Sequence, residues 1–231
     1  MMKRPVALAF FILLTTLAST AFAGGIVLER TRVIYDASKK EAALPLANHS
    51  EKMPYLLQSW VENSNNSSRG PFIVTPPLFR LDAGEDSTLR IIKADGQVPN
   101  DRESMYFINV RAIPAQNKAE LANTNTLTLV FKTRIKLFYR PKGLNGKARD
   151  AFKALEFGIS ANQLTIYNPS AYHVVFAGLS LDNVNLTDKI EYIAPQERKI
   201  IAINATTGRT VKWAAINDFG GSTAPETRLI P

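Results

Sequence analysis

Short runs rich in β-branched and aromatic residues recur along this chain, each closed by turn chemistry. Ile26 to Tyr35, Ala42 to Asn48, Tyr55 to Glu62, Ser87 to Lys93, Met105 to Ile113 and Leu127 to Tyr139 read as strands. Asp36 to Ser38, Asn48 to Ser50, Asn63 to Gly70, Asp82 to Gly84 and Asp95 with Gly96 supply the turns between them. The segment from Pro141 to Lys147 combines Pro, Gly and cations and reads as a linker. After it, Ala148 to Leu155 suits one short helix. Glu156 to Tyr167, His173 to Leu181, Ile190 to Ile193, Lys199 to Ile203 and Val211 to Ile216 then form a second set of strands. Strands at this spacing, without a long helical period, predict an all-β chain of two sandwiches.

The stretch TLTLVFKTRIKLFYRP, from Thr126 to Pro141, is the most informative. Leu127, Leu129, Phe131 and Ile135 share one parity with Thr133, so a strand here carries an apolar row on one face. Lys132, Arg134 and Lys136 occupy the other parity. Such a strand can pair with another chain and hold an anionic group of that chain. From the pattern alone, an alternating row is more often the inner face of the strand's own sandwich. Leu127 and Lys136 face opposite ways on a regular strand, so a bulge or twist would have to re-aim one of them toward a common partner.

The first 23 residues read as a targeting segment. Lys3 and Arg4 form a positive start, Val6 to Leu17 is apolar except for Thr15 and Thr16, and Ala21-Phe22-Ala23 gives a small-x-small cleavage pattern. Cleavage after Ala23 leaves 208 residues, and no later window is apolar enough to insert in a membrane. That portion carries 26 basic against 20 acidic residues, a balance of +6 that favours acidic partners or solubility. No run of like charges and no basic-aromatic cluster suggests nucleic acid. The chain has no cysteine, which excludes disulfides, thiol catalysis and thiolate metal sites.

Catalytic constellations are thin. His49 and His173 lie far apart and outside any metal-binding spacing, and structural or surface roles suit both. Asp101 with Glu103 is a carboxylate pair of the kind that more often makes a turn or ion pair than a general acid and base. Neither a nucleophile elbow nor a phosphate-binding loop occurs. No enzyme, metal or cofactor is expected.

Several motifs then stand in order. They are LERTR with Arg32, Pro54-Tyr55-Leu56, Trp60 to Asn63, Thr75-Pro76-Pro77, Arg80-Leu81, and DRES from Asp101 with Asn109, Arg111 and Ile113-Pro114. IKLFYRP from Ile135, Asn168-Pro169 with Tyr172, and INDFGG from Ile216 complete the set. Together they resemble a periplasmic pilus (fimbrial) chaperone of the chaperone–usher class across essentially the whole exported chain. The short segment between Pro114 and Leu127 resembles the short-loop subgroup.

The resemblance implies two immunoglobulin-like domains in a boomerang, residues 24–143 and 148–231, with a binding cleft between them. It implies a chaperone that binds, folds and caps pilus subunits by lending them a strand, then delivers them to an outer-membrane usher. Arg32 and Lys136 correspond to the pair that holds the subunit's C-terminal carboxylate, as a two-pronged fork and a point charge. Leu127, Leu129 and Phe131 correspond to the donated row. Glu103, Arg140 and Asp218 correspond to an interdomain ion-pair set, and Thr75-Pro76-Pro77 to a turn where a cis proline is common. Lys132 and Arg134 are left facing solvent. The exposed strand also offers weak self-association of the free chaperone. Two other readings remain: an exported pilus subunit, and a carbohydrate-binding β-sandwich protein.

Overall fold

The computed structural model describes residues 24–65, 69–116, 127–203 and 209–230. The leader and its cleavage point lie outside the described residues, as do Thr126 and residues 117–125.

Nine strands build the first sandwich: β1 (Ile26–Leu28), β2 (Arg32–Asp36), β3 (Glu41–Asn48), β4 (Tyr55–Asn63), β5 (Phe72–Thr75), β6 (Leu78–Leu81), β7 (Asp86–Lys93), β8 (Ser104–Pro114) and β9 (Phe131–Arg140). One sheet has the order β1-β3-β7-β5, the other β2-β9-β8-β4-β6. Buried Leu44, Leu57, Leu89, Ile91, Ile108 and Leu137 fill the space between them.

The second sandwich follows with β10 (Glu156–Ser160), β11 (Gln163–Tyr167), β12 (Val174–Leu181), β13 (Val184–Asn185), β14 (Tyr192–Ile193), β15 (Arg198–Ala202), β16 (Thr210–Ala215) and β17 (Glu226–Leu229). Its sheets run β10-β11-β15 and β13-β12-β16-β17, with β14 alongside β12. A 3-10 helix over Ala148–Ala154 closes one end and buries Ala151 and Phe152 in this core. Trp213 is fully buried there, its indole N–H donating to the Phe152 carbonyl at 2.9 Å. A third, small cluster of Met105, Phe138 and Val175 joins the two sandwiches.

Three segments differ from the sequence expectation. The run Ile26 to Tyr35 is not one strand: β1 pairs with β3 in one sheet, β2 with β9 in the other. The chain thus changes sheets at Glu29 to Thr31 and covers an edge of each, which local periodicity does not register. Glu156 to Tyr167 is a hairpin of β10 and β11, turning at Ala161, whose φ is +48°. The strand expected from Leu127 begins at Phe131, opposite Ala112, the last residue of β8 that pairs with it.

Each sandwich holds a loop shut with the same device. Asn48 and Asn168 are completely buried polar side chains. The Asn48 amide donates to the Met53 and Asp82 carbonyls at 2.8 and 2.9 Å, and its oxygen accepts from the Ser50 N–H at 3.1 Å and hydroxyl at 2.6 Å. The Asn168 amide donates to the Tyr172 and Ala194 carbonyls at 2.8 and 3.0 Å, and its oxygen accepts from Ser170 at 3.1 and 2.7 Å. Two Asn-x-Ser triplets therefore do equivalent work, each satisfying loop carbonyls that water cannot reach. Asn168→Ala is expected to cost about 2–4 kcal/mol, because it strands buried carbonyls as well as losing bonds. Urea unfolding followed by Trp213 fluorescence in a Trp60→Phe background tests this; a loss below about 1 kcal/mol would contradict it.

Candidate functional site

The parallel pairing of β2 with β9 positions the cations. Its register sets Arg32 beside Lys136, with both side chains on the sheet face turned toward the second sandwich. β2 begins at Arg32, so Phe131 to Ile135 of β9 have β8 on one side and no strand on the other among the described residues.

Arg32 is 8% exposed, and its Nη1 donates to the Ile216 carbonyl at 3.2 Å. Its Nε is buried with no acceptor. Burial lowers the guanidinium pKa, while the charges of Asp218 and Glu103 push back upward. A buried guanidinium with an unfilled donor carries a desolvation cost that its neighbours do not fully offset. It opens onto a cavity of about 290 Å³ lined also by Phe138, Arg140, Val175, Ile216 and Phe219. Lys136 is partly buried, its Nζ ion-paired with Glu191 of the second sandwich. The two cations expected to act together are therefore adjacent in the fold.

Alternation along β9 is unbroken. Its register against β8 runs continuously from Phe131–Ala112 to Tyr139–Ser104, with no bulge. Ile135 and Leu137 face the first core, whereas Lys132, Arg134, Lys136, Phe138 and Arg140 share the opposite face. The parity question raised by the sequence thus has a simple answer. Within β9, Phe131 and Thr133 continue the core-facing series and the cations stand on the other side, while Leu127 and Leu129 lie ahead of the strand and outside its register. Leu127, Leu129 and Phe131 are 83%, 58% and 61% exposed, the first two preceding the strand. Lys132 and Arg134 are exposed but each covers a ring, Trp60 at 5.4 Å and Phe107 at 3.6 Å, so they are not simply solvated.

Glu103, Arg140 and Asp218 meet at the joint between the sandwiches. Arg140 Nε donates to Glu103 Oε1 at 2.9 Å, and its Nη1 and Nη2 donate to the two Asp218 oxygens at 2.8 and 3.0 Å. Burial works to lower the Arg140 pKa, but the hydrogen bonds and charges of Asp218 and Glu103 outweigh it and carry it upward. A fourth member was not foreseen. His173 gives its backbone N–H to Glu103 Oε2 at 2.8 Å and sets its Nδ1 3.1 Å from the same oxygen. Its position straight after Tyr172 of a family motif was the only sequence signal.

Gly220 explains how the second sandwich comes so close. Its φ is +89°, and a Cβ there would lie 2.4 Å from Thr31 Oγ1. Only glycine lets the turn from Ile216 to Gly221 sit against the start of β2, where it offers the Ile216 carbonyl to Arg32 and Asp218 to Arg140. The cis peptide bond of the Thr75-Pro76-Pro77 turn lies between Thr75 and Pro76. Among the described residues no group of three or more His, Asp or Glu could hold a metal ion.

Comparisons with known proteins agree across the length of the chain. Residues 25–145 match the family model "Pili and flagellar-assembly chaperone, PapD N-terminal domain". Residues 150–227 match "Pili assembly chaperone PapD, C-terminal domain". The chain is 41% identical to "Chaperone protein LpfB" of Salmonella typhimurium over 90% of both chains. It is 39% identical to "Chaperone protein FimC" of Escherichia coli K12 over 89% of this chain and 85% of that one. Among solved structures it resembles a chain of the Salmonella enterica SafA pilin–SafB chaperone complex, with a TM-score of 0.81 and 32% identity, covering 91% of this chain and 99% of that one.

The joint makes an ordered prediction. Arg140→Met leaves the Glu103 carboxylate, 2% exposed, without its guanidinium and is expected to cost about 3–5 kcal/mol. Asp218→Asn removes a partner that is 42% exposed and is expected to cost at most about 1 kcal/mol. Equal losses in urea unfolding would contradict this ranking.

Proposed function

Because the chain belongs to the pilus-assembly chaperones of the chaperone–usher pathway, we propose that Arg32 and Lys136 anchor the C-terminal carboxylate of a pilus subunit while Leu127, Leu129 and Phe131 complete its core. As a member of that family it is a periplasmic chaperone that binds pilus subunits and works with an outer-membrane usher. The readings as a subunit itself or as a carbohydrate-binding sandwich give way to this one. The leader ends at Ala23, and the division into residues 24–143 and 148–231 separates a domain that carries the donated strand from one that closes the cleft.

One observation carries the site: β2 begins only at Arg32, beside Lys136, so among the described residues the earlier half of β9 has no strand along its second edge. A subunit strand laid on that edge with its carboxylate at the two cations runs in the direction of β2. It is therefore parallel to β9 and meets the start of β2 end to end. Its backbone bonds along the side of β9 that faces away from β8. The apolar row ahead of Ile135 turns toward the subunit's incomplete core, and each side chain fully buried there contributes about 1.5–3 kcal/mol. The carboxylate fills the open donor of Arg32 through charge-assisted bonds. Hydrophobic row and anchor set one register, since a slip by one residue reverses every side chain.

Lys136→Glu and Arg32→Glu are each expected to lower subunit recovery from periplasmic extracts roughly tenfold or more, with the chaperone still folded by circular dichroism. Leu129→Asp is expected to lower it comparably while leaving the anchor intact. Undiminished recovery with all three variants would refute the proposed site.

A further inference from the structure

Lys136 has a partner in the free protein. Its Nζ is ion-paired with Oε1 of Glu191, which belongs to the other sandwich. The backbone of Glu191 is fixed just ahead of β14, its carbonyl accepting the Phe176 N–H at 2.9 Å. Its side chain, by contrast, is 66% exposed. A fixed backbone with an exposed side chain gives a carboxylate that can swing away without disturbing the fold. The neighbouring cation of that sandwich, Lys199, is engaged with Glu197 at 3.7 Å and with the Tyr192 carbonyl at 2.7 Å. Beside Lys136, Arg32 keeps a buried Nε without an acceptor. The two cations thus present one filled position and one open one.

We propose that Glu191 is a specificity-setting residue, an internal carboxylate that stands in for the subunit's C-terminal carboxylate and is displaced by it. This deepens the reading of Arg32 and Lys136 as an anchor and rests on it. The chemistry follows from charge balance. Lys136 has a side chain only 15% exposed next to a buried guanidinium, so a carboxylate at that point relieves like-charge repulsion in the free chaperone. An arriving terminal carboxylate exchanges one ion pair for another and gains the open donor of Arg32 as well. A strand ending in a neutral group does not compete for Lys136 and leaves the Glu191 pair in place. Glu191 therefore competes only with segments that bring a terminal carboxylate to Lys136, and sets how tightly they must bind to displace it. Because Glu191 is mostly exposed, its hold is weak, and the effect is a tuning of capture by a small factor.

The test uses the full chaperone and a synthetic peptide of alternating valine and threonine, made with a free C-terminal carboxylate and as its amide. Glu191→Gln is expected to tighten the free-acid peptide roughly twofold to fivefold. It should leave the amide unchanged and have no effect in a Lys136→Met background. In the absence of peptide, acylation of the Lys136 amine by an N-hydroxysuccinimide ester, read by mass spectrometry, should be faster in Glu191→Gln than in the wild type. A wild type that does not distinguish acid from amide overturns the anchor reading and this proposal with it. Unchanged labelling of Lys136, or equal tightening of both peptides, overturns the role of Glu191 alone.

Discussion

Five residues of β2 lie parallel to the second half of β9, and the function of the cleft depends on where that pairing stops. Had β2 begun a few residues earlier, it would cover more of the edge of β9. Had it been one residue out of step, Arg32 would point into the first core and its partner would be a hydrophobic side chain. The register thus fixes the neighbouring cations, the open edge and the end point of any strand laid upon it. The change of sheet between β1 and β2 makes this possible, since only the later part of that segment is spent on covering β9.

The joint between the sandwiches is built in a different way. Apolar contact centres on a small cluster around Met105, Phe138 and Val175, and much of the rest is polar: Arg140 with two carboxylates, His173 hydrogen-bonded to the buried one, Lys136 with Glu191, and Arg32 on the Ile216 carbonyl. Buried ion pairs add little net stability once desolvation is counted, but they tolerate few geometries. A joint of this kind fixes the attitude of one sandwich to the other more than it glues them together. The intradomain cores carry the stability, reinforced by the matched asparagines under the loops, in a chain with no cysteine to cross-link.

Much of this was legible in the sequence, for reasons that differ by residue. The two sandwiches and the two-faced strand from Phe131 to Arg140 follow from alternation, which is a local property, though the expected strand began too early. Arg32 and Lys136 followed only from motif resemblance, since their adjacency spans some hundred residues of chain and no periodicity encodes it. The break between β1 and β2 was hidden because a strand that changes sheets keeps its alternation. β5 and β6 were missed because each is only four residues long. Lys132 and Arg134 looked merely solvated because the rings they cover, Trp60 and Phe107, come from β4 and β8. His173 and Glu191 were beyond reach for the same reason: each meets its partner across the cleft. The equivalence of Asn48-His49-Ser50 and Asn168-Pro169-Ser170 is visible only once both side chains are seen to be buried.

The turn from Ile216 to Gly221 touches both arginines of the first sandwich, Arg32 through a backbone carbonyl and Arg140 through Asp218. The turn lies close enough to the start of β2 that a Cβ at Gly220 would meet the Thr31 hydroxyl. If Arg32 holds a carboxylate as proposed, the turn links that anchor to the orientation of the second sandwich, and a link of this sort is reciprocal. If loading a carboxylate at Arg32 shifts the turn, then anything that leans on the second sandwich alters the hold on that carboxylate by the same factor. A protein with no nucleotide to spend would in this way possess a lever for letting go.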